Sequence, residues 1–173
     1  HVPGLVEDEL LTLDPARNPA FKFCEAAYFL AYKDGRIVGR IAGIINHRAN
    51  ETWNQNNVRF GFVDFINDNE VVDALFKAVI DWGKAHGKEM IQGPMGFSDL
   101  DHEGMLIEGF DQLGTMATIY NYAYYPKHMQ RMGFVKDQDW QEYKITIPED
   151  IPEKHKRIAE IVRTKYGLKT LKF

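Results

Sequence analysis

Residues 58–93 read VRFGFVDFINDNEVVDALFKAVIDWGKAHGKEMIQG. The first eight residues are mostly aromatic and β-branched, which is typical of a strand. From Val71 to Trp82, apolar residues recur at intervals of three and four, and this spacing predicts an amphipathic helix. A short run, Glu89–Gln92, predicts a second strand. Because a strand, a helix and a strand in this order form a crossover unit, we expect Val58–Phe65 and Glu89–Gln92 to be parallel neighbours.

Both ends of the predicted helix carry capping signals. Asn67, followed three residues later by Glu70, matches a capping box at the helix start. Gly87 lies where a glycine commonly ends a helix, because glycine adopts the required positive φ at little cost. The helix is therefore predicted to lie between Asn67 and Gly87.

Upstream, two β-rich runs flank an Asp-Gly turn. The runs are Ala27–Tyr32 and Ile37–Asn46, and the turn residues are Asp34–Gly35. Asp-Gly favours a type I′ turn, so the segment is predicted to be a β-hairpin. Gly39 and Gly43 share a face of the second strand and predict either a bulge or the close approach of another segment.

The remaining segments give weaker signals. The chain up to about Phe23 is predicted to be extended with one helical turn, and His47–Asn57 is predicted to be a polar loop. Met95–Ile119 is irregular, and irregular stretches of this length are often functional. The other predicted elements are a helix over Asn121–Gly133, a strand over Asp139–Ile147, a helix from Pro152 to Gly167 and the start of a strand over Leu168–Phe173.

Together these elements predict an α/β fold with a mixed, mostly antiparallel sheet that contains one splayed parallel pair and is flanked by helices. Its predicted bounds are residues 26–147. An extended segment precedes it over residues 1–25, and residues 148–173 form a basic helix with a linker or the start of a further domain. A length of 173 residues suits one such domain. Because the chain begins with His1, we expect a trimmed or partial chain.

Charge and composition exclude several functional classes. The net charge is −4, but residues 153–173 carry +5 and the rest carries −9. A body this acidic repels phosphates, so no nucleic-acid partner is expected. The basic segment is either a solvated helix face or a surface for an acidic partner. No apolar run reaches the ~20 residues of a membrane span, so no membrane partner is expected. A single cysteine, Cys24, and the lack of a signal peptide favour the cytoplasm.

Common catalytic and metal motifs are missing from the sequence. Ser98–Gly104 resembles the first half of a calcium loop, but the twelfth position is Phe110 instead of a carboxylate, so no metal is expected. The histidines lack zinc-ligand spacing, and only His102 and His128 fall near a predicted cleft. Neither a P-loop nor a G-x-S-x-G elbow is present.

The densest aromatic cluster is Tyr120–Pro126, which reads YNYAYYP. Tyrosines offer an apolar face and a phenol donor, which suits a ligand wall or an interface. Packing beneath the preceding irregular stretch is the alternative, and the sequence leaves both open.

In its order of elements, the chain resembles the GNAT N-acetyltransferase superfamily over residues 26–147. Asp34–Gly39, DGRIVG, resembles the second and third strands of that superfamily. Val58–Phe65 with Glu70–His86 resembles its fourth strand and third helix, and Asn121–Phe134, ending in MGF, resembles its fourth helix. The series GPMGFSD, GMLIEGFD and YNYAYYPKHMQRMGF is also similar to a group of longer, uncharacterised bacterial GNAT-like proteins, in which this chain would be the N-terminal half.

The resemblance implies an N-acyltransferase in which an amine attacks the thioester carbonyl of acetyl-CoA or another acyl-CoA. Backbone N–H groups of Gly61–Phe65 would polarise the acyl oxygen. Tyr125 or Tyr124 would protonate the leaving thiolate, and Asp64 or Glu108 would be the base. The implied cofactor-binding residues are Phe62, Val63, Phe65, Gly93, Pro94 and Asn121.

Two positions depart from the superfamily pattern. Ile66–Glu70 has two carboxylates and no glycine, where the superfamily carries the glycine-containing turn [QR]-x-x-G-x-[GA] that binds pyrophosphate. The frequent acid tyrosine falls on Met129, and Tyr125 lies one turn earlier as a substitute. A second hypothesis is therefore a non-catalytic half that pairs with a second GNAT-like domain, forms a homodimer or binds a small-molecule ligand.

We expect any ligand in a cleft near the carboxyl ends of the parallel strands. Its predicted borders are the end of Val58–Phe65, Gly93–Pro94 and Tyr120–Tyr125. Met95–Ile119 either covers this cleft as a lid or packs rigidly over the tyrosines.

Overall fold

A four-stranded sheet forms the centre of the first part of the chain. The computed structural model describes residues 3–169 and Leu171. The strands are β1 (Cys24–Lys33), β2 (Arg36–Asn46), β3 (Asn57–Phe65) and β4 (Met90–Gln92). In the sheet they follow one another in chain order. The β1–β2 and β2–β3 pairs are antiparallel, whereas β3 and β4 are parallel. This confirms the predicted mixed, mostly antiparallel sheet and its parallel pair.

Four helices belong to the same part of the chain as the sheet, and a fifth follows later in the sequence. They are α1 (Val6–Leu13), α2 (His47–Thr52), α3 (Asn69–Ala85), α4 (Tyr124–Arg131) and α5 (Glu153–Tyr166), with a 3₁₀ turn at Pro19–Lys22. The chain divides into two units, one up to Asp137 and one from Gln138 onward. None of the helices in the described part of the chain combines the length and apolar character needed to span a bilayer.

The hairpin turn and the β2 glycines behave as predicted. Asp34 and Gly35 have φ of 52° and 74°, as a type I′ turn requires. A Cβ on Gly39 would lie 2.7 Å from Leu75, and a Cβ on Gly43 would lie 2.9 Å from Trp82. The two glycines thus mark the close approach of α3 to the sheet.

The core lies between this helix and the sheet. Phe60, Phe76 and Val79 are fully buried there. Gly87 has φ of 68°, as expected after the helix end. The predicted cap residue is wrong, because Asp68 caps α3 instead of Asn67. Its carboxylate accepts hydrogen bonds from the N–H groups of Glu70 and Val71 at 2.9 and 3.3 Å.

Two segments contain more helix than we predicted, the N-terminal stretch with its single predicted turn and the predicted polar loop after β2. Residues 6–13 form α1, whose first turn carries three acidic side chains that favour a helix N-terminus. Residues 47–52 form α2, because the Asn46 side chain caps it by accepting a hydrogen bond from the Ala49 N–H at 2.8 Å. Side-chain capping therefore overrides the low apolar content of these segments.

The predicted strand over Asp139–Ile147 is wrong. The segment has no regular secondary structure, and its apolar side chains Tyr143, Ile145 and Ile147 are at least 75% exposed. A strand needs a neighbour to satisfy its backbone groups, and none pairs with this one in the described chain. The described residues of the predicted strand Leu168–Phe173 are also irregular, while Thr170, Lys172 and Phe173 lie outside the described residues.

Gly61 is the position in β3 that is most sensitive to an added side chain. A Cβ there would overlap the carbonyl oxygen of Met95, which is backbone and cannot rotate away. We expect Gly61→Ala to lower the free energy of unfolding by about 1–3 kcal/mol, the usual cost of overpacking. Urea unfolding measures it. Gly4→Ala, where the Cβ meets nothing, is the control, and equal stability of the two variants would contradict the packing at β3.

Candidate functional site

A bulge interrupts β3 just before its end. Gly61 pairs with Ala42 and Asp64 pairs with Arg40, so two residues of β3 oppose Ile41 alone. The first of them, Phe62, has φ of 47°, which is unusual for a residue other than glycine. Bulges disrupt the hydrogen-bond ladder and often lie next to active sites.

The opposite edge of β3 is open beside this bulge. β4 pairs with β3 only up to Arg59. Beyond it, the Met95 N–H donates to the Phe60 carbonyl at 2.8 Å. Among the described residues, the next hydrogen bonds on this side join the Phe65 backbone to two tyrosine hydroxyls. The open edge over residues 62–64 therefore lies between Met95 on one side and α4 on the other.

Two tyrosine hydroxyls hold α4 against the end of β3. The Phe65 N–H donates to the Tyr125 hydroxyl at 3.1 Å, and the Tyr124 hydroxyl donates to the Phe65 carbonyl at 2.8 Å. Tyr125 also stacks on the Phe65 ring, with 4.1 Å between centroids. The two predicted acids thus lie at the expected strand, but both hydroxyls bond its backbone.

Tyr125 and Asp64, predicted as acid and base, come together. The Tyr125 hydroxyl donates to the Asp64 carboxylate at 3.3 Å. The other carboxylate oxygen of Asp64 accepts from Arg40 Nε at 2.9 Å, and Arg40 also pairs with Glu9 of α1. Asp64 itself is 61% exposed, so its carboxylate is fixed in orientation and still faces solvent.

Burial keeps both tyrosines protonated. Desolvation raises the pKa of Tyr125, and the Asp64 charge raises it further, against the opposing effect of the Phe65 N–H. Desolvation also raises the pKa of Tyr124, with smaller contributions from Tyr122 and Asp64. Tyr124 is only half-buried, so it is the more accessible phenol.

A shallow depression of about 210 Å³ lies next to Tyr124. Its lining residues are Asn67, Asn69, Tyr124, Lys127, His128 and Arg131. Arg131 binds Asp73 at 2.6 Å. Lys127 is exposed and has no hydrogen bond or ion pair with the described residues. The Asp68 carboxylate, which is near in sequence, is occupied by Lys33 at 2.6 Å. The depression therefore carries positive charge suited to an anion.

His128 forms the buried floor of this depression. It is 6% exposed, and its Nε2 lies 2.9 Å from Asn67 Oδ1. Its Nδ1 is buried without a partner in the described part of the chain. Desolvation lowers the pKa of His128, and the neighbouring Arg131 charge lowers it further, so the ring is neutral near pH 7.

Other predicted site residues have different positions. Gly93 lies close to Phe60, because an added Cβ there would overlap the Phe60 carbonyl oxygen and lie 2.7 Å from its ring. Asn121 is buried and holds Leu106 from both sides, accepting from its N–H at 2.7 Å and donating to its carbonyl at 3.1 Å. Glu108 is exposed and bonds no described residue.

Half of the irregular stretch 95–119 is packed. Phe97 is 1% exposed, and its carbonyl accepts from Asn46 at 2.8 Å. The Pro94 carbonyl accepts from the Gly104 N–H at 2.9 Å. These contacts tie Phe97 and Gly104 to the sheet-containing unit, whereas Leu100 between them is 93% exposed. His102, the other histidine that we considered, is exposed and bonds the Met116 carbonyl.

Several site residues escaped sequence analysis. Arg40 lies in a hairpin strand, and only the sheet register brings it to Asp64. Lys127 and Arg131 are four residues apart on α4, and this spacing placed them on one face. Their position opposite the start of α3 depends on tertiary packing, which no local pattern reveals.

Two curated proteins resemble this chain. Bacterial ceramide synthase of Caulobacter vibrioides is 33% identical over 157 residues, which are 90% of this chain and 40% of that protein. Protein YghO of Escherichia coli is 33% identical over 124 residues, which are 72% of this chain and 32% of that protein. The chain thus spans less than half the length of either relative. Neither a protein-family profile nor a solved structure matches.

Loss of the Tyr125 hydroxyl should destabilise the fold. Tyr125→Phe leaves the Phe65 N–H buried without an acceptor, so we expect a loss of about 1–3 kcal/mol in the free energy of unfolding. Tyr124→Phe removes one donor to a carbonyl and should cost about 0.5–1.5 kcal/mol. Urea unfolding measures both. The matched control is Tyr122→Phe, whose ring is 59% exposed, and a Tyr125→Phe variant as stable as this control would contradict the assigned bond.

The buried ring of His128 should make stability depend on pH. Its folded pKa is lowered, so between that value and the ordinary value near 6.5 the unfolded chain binds more protons. Stability therefore falls as the pH drops from about 7 through 6.5 toward the lowered folded pKa of His128. His128→Gln should flatten this fall in urea unfolding, while His155→Gln, at an exposed position, should not. Identical pH profiles for wild type and His128→Gln would contradict this assignment.

Proposed function

We propose that this chain is an acyltransferase domain of the GNAT type, which moves an acyl group from acyl-CoA to an amine. The observation that carries the proposal is the bulged, open edge of β3 beside an oriented Asp64 carboxylate. A carboxylate that is fixed in direction and exposed can receive an ammonium group and accept its proton. Backbone groups released from the ladder by the bulge can polarise a carbonyl oxygen.

In the proposed reaction, the amine nitrogen attacks the thioester carbonyl and forms the C–N bond of the amide. The C–S bond breaks, and the thiol leaves. Asp64 takes the proton that the nitrogen loses. Tyr124, protonated and half-buried, supplies a proton to the thiolate, and solvent restores it. Tyr125 serves to position Asp64, because it is buried and its hydroxyl already has two partners.

The depression on α4 supports phosphate recognition. The turn before α3 has no free helix N–H groups at Glu70 and Val71, since Asp68 occupies both. Among the described residues, Lys127 supplies an unpaired positive charge in the depression, where Arg131 is already paired with Asp73. The phosphates of a CoA would therefore contact α4 side chains instead of a glycine turn.

The name of one relative, bacterial ceramide synthase, supports the same reaction type. A ceramide is an amide of a fatty acid and a long-chain amino alcohol, so a ceramide synthase joins an acyl group to an amine. Bacterial ceramide synthase matches 90% of this chain. We therefore propose a long-chain amine as the acceptor and a fatty acyl-CoA as the donor.

A non-catalytic role is the second candidate. Both tyrosine hydroxyls bond the Phe65 backbone, and Asp68 blocks the helix start. These contacts favour a domain that keeps the fold and binds a ligand without transferring an acyl group. Binding and turnover measured separately distinguish the two candidates.

Two measurements test the proposal. Calorimetry measures the binding of acetyl-CoA and of a fatty acyl-CoA, and a thiol assay measures thiol release when a long-chain amino alcohol is added. Asp64→Asn should leave acyl-CoA binding intact and slow thiol release about 100-fold or more, since it removes the base. Lys127→Glu should weaken binding about tenfold, because one favourable charge becomes repulsive. Lys84→Glu on the exposed face of α3 is the charge-matched control.

Each outcome of that experiment has a distinct meaning. Binding without amine-dependent thiol release in the wild-type chain would favour the non-catalytic candidate. If neither acetyl-CoA nor the fatty acyl-CoA binds at millimolar concentration, the acyltransferase proposal for this chain is overturned.

A further inference from the structure

Helix α5 presents an apolar stripe that nothing in its own unit covers. Ile158, Val162 and Tyr166 are spaced by four residues and share one face. Ile158 is 48% exposed and Tyr166 is 63% exposed, and α5 has no buried residue. Two further exposed apolar side chains, Leu168 and Leu171, follow the helix end. A helix of 14 residues without tertiary packing is marginal in water, so this one needs a partner.

Basic side chains border the stripe. Lys154 lies four residues before Ile158, and Lys165 lies seven residues after it, so both border the same side of the apolar row. Within the helix, Lys156 pairs with Glu153 and Arg163 pairs with Glu160. Lys154, Arg157, Lys165 and Lys169 have no carboxylate partner in the described part of the chain, which leaves four unneutralised cations along this short segment.

We propose that α5, together with Leu168 and Leu171, docks on the surface of an anionic lipid bilayer. An apolar stripe with lysines along its edge matches a headgroup boundary, where the ring and aliphatic side chains enter the acyl region and the lysine stems extend to the phosphates. The positive charge is spread along the whole helix and therefore matches a laterally uniform anionic surface. The net charge of +5 over residues 153–173 complements such a surface, whereas the rest of the chain is acidic.

Docking of α5 on a bilayer surface is compatible with the finding that no helix in the described part of the chain could span a membrane. The expectation of no membrane partner depended on the length of apolar runs, and an interfacial helix needs no long run. The inference stands on α5 alone and does not depend on the proposed acyl transfer.

Vesicle sedimentation of the 173-residue chain tests the docking. Vesicles of phosphatidylcholine with 30% phosphatidylglycerol are compared with pure phosphatidylcholine at about 50 mM salt. We expect binding to the anionic vesicles to be at least about tenfold tighter and to weaken as salt approaches about 500 mM. Circular dichroism in the same titration should show a gain of helix on binding.

Two double variants separate charge from apolar contact. Lys154→Glu with Lys165→Glu should weaken binding by more than roughly 30-fold, because losing each basic residue near the surface costs about fivefold and the new carboxylates add repulsion. The control with the same change in net charge is Lys22→Glu with Lys84→Glu. Both positions belong to the unit that ends at Asp137, so this variant should bind like wild type. Ile158→Ser with Val162→Ser should weaken binding to anionic vesicles while urea unfolding of the sheet-containing unit is unchanged.

Three results would overturn the proposal. The first is equal binding to both vesicle types, and the second is an equal loss of binding in the α5 and control charge variants. The third is a chain that does not bind vesicles but self-associates in sedimentation velocity, with the self-association abolished by Ile158→Ser with Val162→Ser. The last result would assign the stripe to a second copy of this chain.

Discussion

The backbone of Phe65 fixes the relation between the sheet and α4. Its N–H and its carbonyl each bond a tyrosine hydroxyl of that helix. A buried peptide group without hydrogen-bond partners lowers the stability of the fold by several kcal/mol. The end of β3 can therefore lie in the core only while α4 supplies these partners. Everything on the open edge of β3 depends on this contact, because it determines where the edge ends.

The same contact assigns different tasks to adjacent tyrosines. Tyr125 is 4% exposed, and its hydroxyl is shared between Phe65 and Asp64, so it contributes order and orientation. Among the described residues, the Tyr124 hydroxyl bonds only the Phe65 carbonyl. Its ring stacks on Tyr122 at 5.4 Å between centroids and lines the depression. One residue along a helix turns a side chain by about 100°, which is enough to separate a packing role from a surface role.

The sequence predicted the elements whose signal is local and strong. Hydrophobic spacing predicted α3, the Asp-Gly pair predicted the hairpin turn, and the crossover rule predicted the parallel pair of β3 and β4. Asp64 and Tyr125 were predicted for one site and are hydrogen-bonded. The rest could not be predicted, because it depends on contacts between distant segments. The Arg40–Asp64 pair follows from the β2–β3 register, and Asn121 anchors Leu106 through a turn that no periodicity encodes.

The prediction of a strand over residues 139–147 shows what periodicity measures. Tyr143, Ile145 and Ile147 alternate with polar residues, which is the pattern of a chain with one buried face. The pattern describes a preference for burial, and a strand forms only where a second strand supplies hydrogen bonds and a second surface covers the face. A helix bonds its own backbone, so α5 needs no neighbouring strand for its hydrogen bonds, whereas the alternating segment that precedes it in the chain stays irregular. The unit from Gln138 onward therefore has secondary structure where the backbone can bond itself, and exposed apolar side chains where burial would need another surface.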